Sequence, residues 1–197
     1  MTTVEENVTQ PAPGEDRHPS LALANTAMAL PGGHFIDLLG TPATASHWLI
    51  ERGLAPADAA LGEMCAAQLR ALREQIRALF ASRVAALPAL PVALAAVNDA
   101  MTRVPTAPLL QWDEKTGPYR STPHPTTALV DHALAALAAD AADLLTAPAA
   151  ERLTACASTP CNRYLLRNGR RHWCSTRCGD RARAARAYAR RTRPAAD

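Results

Sequence analysis

Four of the chain's five cysteines, Cys156, Cys161, Cys174 and Cys178, fall within one 23-residue stretch close to the C-terminal end. No other feature restricts the fold as tightly. Cys156 and Cys161 have four residues between them, Cys174 and Cys178 three, and twelve residues separate the pairs. Each short spacing lets two sulfurs reach one ion at bonds of about 2.3 Å without straining the backbone. The sequence therefore predicts a tetrahedral zinc site with these four ligands and one structural ion per chain. Four thiolates leave no open position for water and donate enough charge to blunt the ion's acidity, which argues against catalytic zinc.

Disulfides would need an oxidising compartment, yet the stretch from Met1 to Pro19 is polar and acidic, unlike a secretory leader. The most apolar early stretch, Leu21 to Leu30, is interrupted by Asn25 and Thr26 and falls short of the roughly 20 residues a membrane span needs. The expectation is a cytoplasmic protein with no membrane partner.

Composition separates two parts. Alanine occupies 44 positions, Val and Ile together ten, and aromatics are 4%, a balance that favours helices over sandwiches or barrels. Up to residue 150 there are 9 basic and 15 acidic side chains, net −6; beyond it there are 12 and 3, net +9. An acidic body carries a basic tail.

Residues 1–19, with three prolines and Gly14, read as a mobile lead. Thr41 and Pro42 signal a helix start, with Thr41 as cap, ended by Gly53. From about Pro56 to Ala86, Leu61, Cys65, Leu69, Leu72, Ile76, Leu79, Phe80 and Val84 recur at helical steps. This places Cys65 in the core. Val92 to Met101 suggests a short helix, with Pro105 and Pro108 as a boundary. Leu109 to Trp112 and Tyr119 to Thr122 suggest a hairpin. Thr126 to Thr146 reads as a further helix, and Ala149 to Ala155 as another helical turn. The fold class is α+β: a mostly helical body with a small hairpin, then a treble-clef-like zinc finger.

Within the finger, Tyr164 to Arg167 and Arg170 to Trp173 flank Asn168-Gly169, which predicts a hairpin with a type I′ turn. His172 is a surface residue of that hairpin, since four cysteines already close the metal shell. Ser175 is a candidate cap for a helix whose N-terminal end carries Cys178.

Past Cys178, arginines crowd the helix. Arg183, Arg186, Arg190 and Arg193 share one face, Arg177, Arg181 and Arg191 lie nearly opposite, and Ala182, Ala185 and Ala189 leave a narrow packing seam. The hairpin adds Arg163, Arg167, Arg170 and Arg171, and together with the helix these arginines form a candidate DNA-binding set, because the guanidinium fork suits both phosphates and guanine edges.

The run Arg170-Arg171-His172-Trp173-Cys174-Ser175 followed by Cys178-Gly179-Asp180-Arg181 resembles the CGNR-type zinc finger, with Asp180 standing at the Asn position. Leu23-Ala24-Asn25-Thr26, Asp37-Leu38-Leu39-Gly40-Thr41-Pro42 and Trp48-Leu49 resemble the ABATE domain that precedes this finger in stress-induced transcription regulators of bacteria. The resemblance implies an ABATE-like domain over residues 20–148, a finger over 149–193 and a DNA-binding regulator.

Asn25, His34, Asp37 and Trp48, with His124, are polar or aromatic residues in or beside loops, a candidate pocket for a small-molecule effector. No phosphate loop, dinucleotide glycine pattern, nucleophile elbow or metalloprotease motif occurs, so no enzyme is expected. The rival readings are a protein-docking finger and an uncharacterised enzyme in the body. A homodimer is the remaining partner expectation.

Overall fold

The computed structural model describes residues 10–104, 109–121 and 128–192. In order, the elements are α1 (Pro19–Ala24), β1 (Ala27–Ala29), β2 (Phe35–Asp37), α2 (Pro42–Glu51), α3 (Glu63–Val84), α4 (Pro91–Thr102), β3 (Leu109–Asp113), β4 (Gly117–Ser121), α5 (Leu129–Thr146), β5 (Leu153–Ala155), β6 (Tyr164–Leu166) and α6 (Thr176–Arg191). Among the described residues the strands form three antiparallel pairs, β1 with β2, β3 with β4, and β5 with β6. The architecture is a helical body carrying small strand pairs, with the clustered cysteines at its C-terminal end.

Helix α3 is the centre of the body. Ala66, Leu69, Leu72, Ile76, Leu79 and Phe80 form its buried stripe, which packs on α1, α2, α4 and α5. On α5, Ala133, Ala138 and Ala141 alternate with Leu134, Leu137 and Leu144 in the core, and these small side chains let neighbouring helices approach closely. Six-residue α1 is buried from Ser20 to Ala24. Its N-terminus is held by Asp140 of α5, which accepts from Ser20 N at 2.9 Å and Ser20 Oγ at 2.5 Å.

Arg73, 5% exposed in the middle of α3, forks onto Asp37 of β2 at 2.6 and 2.9 Å. Burial opposes the charge on Asp37, but the hydrogen bonds from Arg73 and Leu39 N and the charges of Arg73 and Arg70 together outweigh it and hold the carboxyl below its ordinary range.

Thr41 caps α2 as its sequence predicts, its side chain accepting from Thr44 N while Thr44 Oγ1 accepts from Thr41 N. Gly53, at φ +65°, ends the helix. The predicted β3–β4 hairpin forms, with Leu109 opposite Ser121 and Asp113 opposite Gly117.

Several expectations change. Helix α3 begins at Glu63 rather than Pro56, because Leu61 N donates to Ser46 Oγ at 2.9 Å and Gly62 is extended. Residues expected as a helical turn from Ala149 become a 3₁₀ turn, Pro148–Arg152, followed by β5. The finger hairpin pairs β6 with β5, Leu153 opposite Leu166, not with Arg170 to Trp173. A type I′ turn needs positive φ at both central residues; Gly169 has it, Asn168 does not.

Finally, the lead expected over residues 1–19 is packed from residue 10 onward. Ala12 is buried, Pro13 O accepts from Leu166 N at 2.8 Å, and Gln10 O accepts from Arg163 Nη2 at 3.0 Å. Residues 1–9, Pro105, Pro108, His124 and Arg193 lie outside the described residues. Cys65, expected in the core, is only half-buried.

Candidate metal centre and its surroundings

Strand β5 delivers the chain to Cys156, and a tight turn, with Cys161 N donating to Ser158 O at 2.8 Å, brings Cys161 back beside it. After β6, Ser175 opens α6 by accepting from Cys178 N at 3.2 Å, so Cys174 and Cys178 flank the first turn of a helix. The four sulfurs lie within 4.8 Å of one another, with Cys161 to Cys174 at 3.6 Å and Cys174 to Cys178 at 3.5 Å. A tetrahedral ion with bonds of about 2.3 Å separates its ligands by about 3.8 Å, so the cage fits zinc.

None of these cysteines is in a disulfide. The Cys161 thiol, donating to Cys156, brings Cys156 down to about 6, while the Cys156 sulfur pushes Cys161 up. Without a cation, so tight a cluster must share protons among its sulfurs; a divalent ion replaces them. Cys174 N donates to Cys156 Sγ at 3.5 Å and Arg181 Nη2 to Cys178 Sγ at 3.2 Å, donors of the kind that orient ligating thiolates.

β6 joins this cage to the body. Tyr164 and Leu166 enter the main core, whereas Leu165, between them, packs with Cys156, Cys174, Cys178 and Ala12. Polar ties reinforce the seam. Arg77 of α3 donates to Ala24 O and Asn162 O at 2.5 and 3.1 Å and lies 5.4 Å from the Tyr164 ring. Arg163 pairs with Glu15 at 2.8 Å; burial works against its charge, but Glu15 overcomes that and raises its pKa.

The candidate DNA-binding arginines divide. Arg181 faces inward, bonding Ser158 Oγ at 3.1 Å as well as Cys178, and Arg171 braces the loop by donating to Trp173 O at 3.0 Å and Cys174 O at 3.3 Å. Arg183 and Arg186 lie 5.7 and 5.5 Å from the Trp173 ring, and Arg183 also pairs with Asp180. Gly179 leaves room for that ring, since a Cβ there would come within 3.3 Å of it. Arg170, Arg177, Arg190 and Arg191 are exposed. The expected alanine seam shrinks to Ala182, because Ala185 and Ala189 are exposed; beyond its first turns α6 has no neighbour to pack on among the described residues.

The four candidate pocket residues do not converge. Asn25 and Trp48 line one cavity and His34 another, beside the cysteines with Arg177. Asp37 is spent on Arg73 and on capping Leu39 N. Asn25, 3% exposed, has its amide fully engaged by Glu15 and Tyr164. Its part is structural. Spacing does not mark this tie, and Arg163, expected among the DNA-contacting arginines, is instead buried against Gln10 O and Glu15, near the other end of the chain.

A helical body with a four-cysteine metal finger built onto its core defines the class. The ABATE family model, described as "Putative stress-induced transcription regulator", matches residues 17–148, and the CGNR zinc finger model matches residues 152–191. The chain belongs to the ABATE family and carries a CGNR zinc finger. Neither family is an enzyme family. No curated protein matches the chain. No helix of the described residues is long and apolar enough to cross a membrane.

Proposed function

We propose that the chain is a DNA-binding transcription regulator whose four cysteines hold one structural zinc and whose α6 lies against the phosphate backbone. The observation that carries this reading is the state of α6. Among its residues only Cys178, Gly179 and Ala182 are buried, while Arg177, Arg183, Arg186, Arg190 and Arg191 are exposed. A helix that presents this much guanidinium without packing has its charge available for phosphate. The ion supplies cohesion to the finger, and Arg171 and Arg181 hold the loop and the helix start in place. The family description supports a stress signal as the input.

The test is fluorescence anisotropy of a labelled duplex with the zinc-loaded protein across a salt series. Affinity falls steeply with salt, and the log–log slope shrinks by about 0.9 for each phosphate contact removed, as in Arg186→Ala with Arg190→Ala. Tyr188, 64% exposed among these arginines, favours a second reading, a protein partner on the same helix. Binding to a protein with no affinity for duplex at low salt would establish that reading instead.

A further inference from the structure

We propose that Cys161 is an oxidation site for alkyl hydroperoxides, which reach it through the cavity between the β1–β2 turn and the start of α6, and that Cys174 completes the reaction as a disulfide. Cys156, Cys174 and Cys178 are 7%, 1% and 7% exposed, and Cys161 alone of the four is partly open to solvent. With Cys174 and Cys178 it borders a cavity of about 270 Å³. Another part of the wall, formed by Met28, Leu30 and Pro31, is apolar and suits the carbon skeleton of an alkyl hydroperoxide.

The charges agree with this assignment. Arg177 and Arg181 border the cavity, and among the described residues no carboxylate does. A metal-ligating cysteine is held as the thiolate, its nucleophilic form, and a guanidinium nearby stabilises the alkoxide that leaves a cleaved peroxide. The Cys161 thiolate attacks the outer peroxide oxygen: an S–O bond forms, the O–O bond breaks, and the alkoxide takes a proton from water to leave as the alcohol. Two electrons have passed from the sulfur to the peroxide, and Cys161 is a sulfenic acid. Cys174 Sγ, 3.6 Å away, attacks that sulfur, forming the disulfide and expelling hydroxide. Two of the four ligands are withdrawn together, so the cage loses its hold on the ion. The site rests on the zinc reading and is independent of DNA binding.

The test uses the full-length, zinc-loaded protein with about one equivalent of cumene hydroperoxide per chain, metal release being followed with a chromogenic chelator and the products mapped by mass spectrometry after digestion. Zinc leaves in step with oxidation, the first crosslink joins Cys161 to Cys174, and the reaction is about tenfold faster than with hydrogen peroxide. Leu30→Trp fills the cavity without altering a ligand and slows cumene hydroperoxide by about tenfold at unchanged zinc content. His34→Trp, on the exposed rim, takes its place if Leu30→Trp does not retain the metal. Protein purified without zinc would overturn the zinc reading and this proposal together. Four results with zinc-bearing protein would overturn the proposal alone: a first crosslink between any other pair, metal retained after about ten equivalents of peroxide, no preference for cumene hydroperoxide over hydrogen peroxide, or an unchanged rate when the cavity is filled.

Discussion

Asn25 of the body and Tyr164 of the finger are joined by two hydrogen bonds: Tyr164 N donates to Asn25 Oδ1 at 2.7 Å and Asn25 Nδ2 donates to Tyr164 O at 2.8 Å. The side-chain amide acts as a one-residue strand along the free edge of β6. Asn25→Ala leaves both Tyr164 backbone groups buried and unpaired, a loss of about 2–4 kcal/mol read as a lower urea midpoint. Asn25→Asp does not recover it, because a carboxylate can accept from Tyr164 N but not donate to Tyr164 O. A midpoint shift worth under about 0.5 kcal/mol would show that the amide is dispensable.

Metal removal tests how far the finger belongs to the body. Elemental analysis finds one zinc per chain, lost in Cys174→Ser. Because Tyr164 and Leu166 sit in the main core and Leu165 in the cysteine cluster, chelation lowers the melting temperature of the whole protein in one cooperative transition. A body that melts at the same temperature with and without chelator would contradict this coupling.

The arginines of α6 separate into two behaviours. Arg190→Ala leaves melting temperature and zinc content unchanged and reduces the salt dependence of duplex binding by about 0.9 in log–log slope. Arg181→Ala weakens zinc retention in a competition with chelator, because Cys178 Sγ and Ser158 lose their donor. Equal effects of the two substitutions on both measurements would remove the distinction.

Asp37 confers a defined pH dependence. Its carboxyl titrates below its unfolded value of about 3.9 because Arg73 holds it. The contribution is therefore complete above about pH 4 and is lost as pH falls through the lower folded value. Asp37→Asn costs about 2 kcal/mol at neutral pH by leaving buried Arg73 with the more exposed Glu74 as its remaining anionic partner, and the gap to the unaltered protein narrows below about pH 4. A gap constant down to pH 2 would rule out the ion pair as its source.

What the sequence displays is local chemistry. Cys156, Cys161, Cys174 and Cys178 are legible because metal geometry constrains spacing, and the caps at Thr41 and Ser175 because one side chain satisfies the next turn. The β5–β6 pairing is not legible: Asn168-Gly169 advertises a local hairpin, and a contact to Leu153 across the metal loop outcompetes it. Asn25 reads as a loop residue until Tyr164, far along the chain, is brought beside it. The docking of residues 10–18 hides in main-chain atoms such as Pro13 O, which carry no sequence signal.

The two-sided burial of β6 also sets the order in which the chain can fold as it is synthesised. The body's core closes on Leu153, Tyr164 and Leu166, so the helices made first wait, with part of their apolar surface uncovered, until the finger segment leaves the ribosome. Completion of the body and assembly of the cysteine cage then become one late event, and a truncated product that lacks the finger also lacks a closed core.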